Sequence, residues 1–159
     1  MDDRKVKEIA ELLNIQAITV QIALGITELD NITTIAEARE AYNSAPNDSE
    51  AQKLAMEKWI NLCTTIAEAQ EVYNSAQRGS EAQKLAMEKW INLCTTIAEA
   101  HEAYNSAPNG SEAQKLAMEK WINLCTTIAE AHEAYNSAPK NSEISDMIIR
   151  KIAELLPAT

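Results

Sequence analysis

An all-α chain, organised as an α-solenoid of stacked helical hairpins, is what this amino-acid sequence specifies. Three regularities carry that reading. The tryptophans Trp59, Trp90 and Trp121 recur every 31 residues (90 − 59 = 121 − 90 = 31), and self-similarity at a period between about 20 and 50 residues marks a stacked repeat array. Each period holds two helix-start signals, one built on serine and one on threonine. Each period also holds a strong stop between the threonine-started helix and the next serine.

Taken in order, Asp3–Leu13 reads as a first helix, with Val6, Ile9, Ala10, Leu12 and Leu13 apolar and Asn14 as its stop. Ile15–Leu29 reads as a second helix, apolar nearly all round and interrupted by Gly25. On the repeat register it takes the slot of the serine-started helix and reads as a diverged first copy. Terminal repeats are expected to be atypical because one face meets water. Residues 1–33 are therefore assigned as N-terminal capping helices with half a diverged repeat.

Residues 34–141 are assigned as the tandem repeats. Ser80-Glu81-Ala82-Gln83 is a capping-box pattern: the serine hydroxyl accepts from the amide of Gln83, and the glutamine side chain is expected to reach back to the serine amide. Thr96-Ile97-Ala98-Glu99 repeats the device with a glutamate, and both recur as Ser49/Gln52, Ser111/Gln114, Thr65/Glu68 and Thr127/Glu130. Pro108-Asn109-Gly110 ends the threonine-started helix, because proline cannot continue the hydrogen-bond ladder and Asn-Gly tolerates left-handed geometry.

The two helices of a unit differ in their apolar arcs. From Ser80, the residues Ala82, Leu85, Ala86, Met87, Trp90, Ile91, Leu93 and Cys94 cover more than half the circumference, as stacking on more than one side requires. From Thr96 the stripe is narrower (Ile97, Ala100, Ala103, Tyr104, Ala107), and its alanines predict close approach of the axes with one long face in solvent. Residues 142–159 are assigned as a C-terminal capping helix, Ser142–Leu156, in which Met147, Ile148, Ile149, Ile152 and Leu155 stand where the repeats have Leu, Ala, Met, Trp and Leu. That makes about ten helices and one elongated domain.

Apolar residues form 46% of the chain and the formal charge is −10. An acidic balance disfavours nucleic acid and anionic lipid, which need a basic footprint. No apolar run approaches the roughly 20 residues that span a bilayer. Met1-Asp2-Asp3-Arg4-Lys5 leads into an amphipathic helix without the layout of a secretory signal. Cys63, Cys94 and Cys125 hold one equivalent position in successive repeats. Equivalent helices lie no closer than about 8–10 Å, beyond disulfide reach, so these cysteines read as reduced packing residues in a cytoplasmic chain.

Ala98-Glu99-Ala100-His101-Glu102-Ala103-Tyr104, followed by Ala107-Pro108-Asn109, resembles the second helix and loop of tetratricopeptide repeats. The resemblance runs from Thr34 to about Asn141. The unit is 31 residues rather than 34, and the family's opening Trp-x-x-Leu-Gly-x-x-Tyr is absent. What the resemblance implies is a superhelix presenting a groove for a peptide or protein, with no clamping residues to carry over.

Variation among the copies points to the outside of the array. One helix position is Arg39, Gln70, His101 and His132 in turn, and the loops differ at Asn47/Arg78/Asn109/Lys140 and Asp48/Gly79/Gly110/Asn141. The row Arg39–Gln70–His101–His132, with Glu102 and Asn105 on the same helices, is the candidate partner-binding face; the alternative is drift at solvated positions. The tryptophans and the tyrosines Tyr42, Tyr73, Tyr104 and Tyr135 read as inter-repeat core, with the hydroxyls reaching the surface.

Cys94/His101 and Cys125/His132 could suggest a nucleophile–base pair or a zinc site. One copy carries Gln70 instead of histidine, and zinc wants four closely spaced ligands. Glu99 and Glu102 share a helix surface without promise of the burial a general acid needs. No catalytic residue, metal or cofactor is assigned, and an enzyme is not expected. The functional expectation is a non-catalytic interaction or scaffold module for a protein or peptide. The alternative is a purely structural, designed or recently duplicated array. Self-association by exchange of near-identical hairpins is open to either.

Overall fold

The structure, a computed structural model, describes residues 3–13, 20 and 32–157. Those residues form nine α-helices and no strand, so the chain is all-α. The helices are α1 (Asp3–Leu13), α2 (Ile35–Ser44), α3 (Glu50–Leu62), α4 (Ile66–Ser75), α5 (Glu81–Leu93), α6 (Ile97–Ser106), α7 (Glu112–Leu124), α8 (Ile128–Ser137) and α9 (Glu143–Leu155). The helix expected over Ile15–Leu29 lies outside the described residues, apart from Val20. The chain divides into two compact units, Met1–Ala86 and Met87–Thr159.

The threonine caps form as the sequence predicts. Thr65 and Thr127 close full capping boxes with Glu68 and Glu130, and Thr34 and Thr96 accept from the amides of Glu37 and Glu99. The serine caps differ in one bond. The hydroxyls of Ser49, Ser80 and Ser111 accept from the amides of Gln52, Gln83 and Gln114 as expected. The glutamine side chains reach one residue further back, accepting from the amides of Asp48, Gly79 and Gly110 at 2.9, 2.8 and 2.9 Å.

The reason lies in the turn. Each serine amide is already donated to the carbonyl three residues earlier, at Pro46, Gln77 or Pro108. The residue just before each serine (Asp48, Gly79 or Gly110), at φ +62, +80 or +75, holds the position a type II turn reserves for positive φ. Its amide is left free to meet the glutamine.

Within unit 1, α2 packs along α3 far more extensively than α3 does along α4; in unit 2 the same holds for α6 with α7, and α8 with α9. The tight hairpin therefore runs from a threonine-started helix into the next serine-started one, half a period out of phase with the unit as read from Ser80. Ala38 and Ala41, both fully buried, let the two axes approach closely, since a methyl adds little thickness to the stripe. The core of unit 1 includes Trp59, Met56 and Ile60, with Ile32, which precedes α2, in the same cluster. A smaller cluster joins Val6 and Ala10 of α1 to Val20, while Leu12 and Leu13, counted in the apolar set of α1, are exposed. In unit 2, Trp121, Met118, Ala131 and Ile148 are fully buried.

Candidate partner-binding surfaces

The tryptophans are core, at most 4% exposed, and they organise the candidate row. The Arg39 guanidinium lies 5.6 Å from the Trp59 ring centroid and pairs with Glu71 at 2.8 Å. In unit 2 the His101 ring stacks on Trp121 at 4.3 Å with 28° between planes. Arg39 and His101 each lie 20 residues before the indole they cover (59 − 39 = 121 − 101 = 20). This follows from the tight hairpin phase, which sets one helix of the pair over the other. Arg39, Gln70 and His101 are half-buried, and only His132 of the row is exposed. The position corresponding to tryptophan in α9 is Ile152, so His132 has no indole to cover.

Glu102 and Asn105 are exposed, and the same pair recurs exposed as Glu40/Asn43, Glu71/Asn74 and Glu133/Asn136. This acidic–amide face is the most regular exposed feature of the threonine-started helices. The sequence names this face through Glu102 and Asn105, and its recurrence in the other copies is visible as an identical Glu–Asn pair three residues apart in each threonine-started helix.

The tyrosines act across the repeat. Tyr42 Oη donates to the Ser75 carbonyl at 3.0 Å and Tyr104 Oη to that of Ser137 at 3.2 Å. Each hydroxyl thus satisfies a carbonyl left open at the end of the neighbouring threonine-started helix.

Chemistry is not assembled at the cysteines. Each is buried and outside any disulfide, and the thiols of Cys63, Cys94 and Cys125 donate to the carbonyls of Trp59, Trp90 and Trp121 at 3.3 Å. Burial, with Glu99 adding repulsion, pushes the Cys94 thiol up to about 11. A reactive thiol needs the opposite shift. The histidine of this pair is engaged on Trp121, and Glu99 serves the N-cap through the hydroxyls of Thr95 and Thr96. Among the described residues, no three His, Cys, Asp or Glu side chains are placed to hold a metal ion. Nor, among the described residues, is any helix long and apolar enough to cross a membrane.

Helices α2, α3 and α4, with the turn that follows, coincide with a known module. Residues 36–78 match the GA module family. This is a helical protein-binding family, and the matched segment lies within an all-helical, repeat-like chain. The matched family is not the tetratricopeptide repeat that the alanine–tyrosine helix resembles. Residues 98–140 repeat the matched segment, differing only at Arg39/His101, Asp48/Gly110, Gln70/His132, Val72/Ala134, Gln77/Pro139 and Arg78/Lys140. No characterised protein and no solved structure matches the chain.

Proposed function

We propose that the chain is a non-catalytic interaction module that binds protein through two copies of one three-helix element, α2–α4 and α6–α8. The observation that carries this reading is the match of residues 36–78 to a protein-binding helical family, with the near-copy at 98–140 in the second unit. The contact surface is the exposed Glu–Asn face of the threonine-started helices, represented by Glu102 and Asn105, with His132 beside its own copy of that pair. Arg39, Gln70 and His101 contribute their outer edges and otherwise cover the core. A net charge of −10 supports a partner that presents basic and amide groups, and speaks against nucleic acid.

The sequence Glu-Ala-Gln-Lys-Leu-Ala-Met-Glu-Lys-Trp-Ile-Asn-Leu is identical in α3, α5 and α7. That identity favours a second reading, an array propagated for structure alone. Selection of ligands from a displayed peptide library against the full chain separates the two. With Glu40, Glu102, Asn43 and Asn105 replaced together (Glu→Lys, Asn→Ala), affinity for a selected ligand is expected to fall about tenfold or more while helicity is kept. Failure to recover any saturable ligand, or equal binding by this variant, refutes the interaction reading.

A further inference from the structure

Unit 1 holds an open cleft, and the counterpart of that cleft in unit 2 is occupied by a side chain of unit 2 itself, Ile144. The unit 1 cleft lies between α3 and the first turn of α5, has a volume of about 310 Å³, and is floored by Tyr42, Met56, Ala76, Ala82 and Leu85. A more polar hollow of about 300 Å³ adjoins it, sharing Tyr42, Asp48, Gln52 and Gln77 and adding Asn47 and Ser75. At the equivalent place in unit 2, Ile144 stands where unit 1 has Ala82, and is 9% exposed. Around it Tyr104 and Gln114 are buried, whereas Tyr42 and Gln52 are half-buried. The ion pair Lys115–Glu143 closes that edge at 2.7 Å. The corresponding Lys53 and Glu81 are both exposed, and Glu81 instead faces Lys84 at 3.9 Å.

The residues that distinguish unit 1 here are themselves cleft residues. Asp48 stands where the matching copies have Gly79 and Gly110, and adopts φ +62, a backbone region that glycine enters without penalty. Gln77 replaces the proline found as Pro46, Pro108 and Pro139. The rim thus carries three carboxylates (Asp48, Glu57, Glu81) against one ammonium (Lys53).

We propose that this cleft is a docking site for a protein segment that inserts one branched aliphatic side chain, in the manner of Ile144, next to a lysine or arginine that meets the rim carboxylates. The proposal rests on the chain being a protein-binding module and places a second contact chiefly on α3 and α5, with Tyr42 of α2 in its floor. The apolar floor sets the shape of the anchor, and the excess of rim carboxylates sets the charge beside it.

The test titrates the nitrogen-15-labelled full chain with three short peptides whose cores are Lys-Ile-Lys, Glu-Ile-Glu and Lys-Gly-Lys. Saturating shifts at the amides around Ala76, Ala82 and Leu85 are expected for Lys-Ile-Lys, with weaker binding of both controls. Ala82→Ile closes the cleft with a side chain that unit 2 already accommodates, and should weaken Lys-Ile-Lys about tenfold or more. Asp48→Gly, which relieves the backbone, should weaken it about two- to fivefold. No shifts at the cleft, equal binding by Ala82→Ile, or equal binding of Glu-Ile-Glu overturns the proposal. Neither variant touches the Glu–Asn face, so library-selected binding that survives Ala82→Ile and is lost in the face variant sinks the cleft alone.

Discussion

Replacing Trp121 by phenylalanine tests the packing logic most directly. The ring is fully buried, stacked on His101 at 4.3 Å and edge-on to Tyr104 at 6.1 Å, and its Nε1–H is buried with no acceptor in the protein. Phenylalanine surrenders roughly 50 Å² of apolar contact, costing about 1 kcal/mol. It leaves a void of about 40 Å³, costing about 1 kcal/mol more. Against this, removing an unpaired buried donor recovers about 1–3 kcal/mol. The terms cancel, so Trp121→Phe should lie within about 1 kcal/mol of the parent. Trp121→Ala gains the same relief but empties the whole site, and should still cost about 3 kcal/mol. Urea unfolding followed by circular dichroism measures both. If Trp121→Phe loses as much as Trp121→Ala, the indole N–H has an acceptor and the reasoning fails. Trp59, whose Nε1 also lacks an acceptor, should behave alike in unit 1.

Three further outcomes follow from the geometry. The Thr65 hydroxyl, helped by Thr64, holds the Glu68 carboxyl below its ordinary value of 4.5. Its stabilising contribution is therefore full above the ordinary glutamate range and is lost as pH falls through the lowered native value. Side-chain NMR should find a depressed midpoint that rises in Thr65→Ala, and an unshifted midpoint in the parent would contradict the capping box. Native Cys94 and Cys125, both raised chiefly by burial, should resist a disulfide-exchange reagent at a pH of about 8 until the chain is unfolded; prompt labelling would place them in water. Tyr104→Phe removes the hydrogen bond to the Ser137 carbonyl and should cost about 0.5–1.5 kcal/mol in chemical unfolding, with no loss if that carbonyl is served equally well by solvent.

Much of the fold was legible because its signals are local. A serine or threonine three residues before a glutamine or glutamate, and a proline–asparagine turn, act within a few bonds of each other, so the starts of α2 to α8 and the stops of α2 and α6 could be read in sequence. The tryptophans could be placed in the core because the arc around Trp90 is too wide to be solvated. The candidate face was only partly legible. Variation at Arg39, Gln70, His101 and His132 looks like surface freedom, yet Arg39 and His101 cover indoles contributed by another helix, a contact set by the hairpin phase and invisible to periodicity along one helix. Glu102 and Asn105, read from the same helices, do face solvent.

The chain alone determined that these helices form, where they begin and which stripe of each is apolar, because propensity, capping and a 31-residue period are properties of neighbours in sequence. Tertiary structure alone decided which helices pair most closely, that a glutamine reaches past its serine to the preceding amide, and that Ala82 leaves open in unit 1 a cleft whose counterpart in unit 2 is filled by Ile144. Those outcomes depend on which side chains from distant segments compete for one volume, and the volume exists only once the helices have packed.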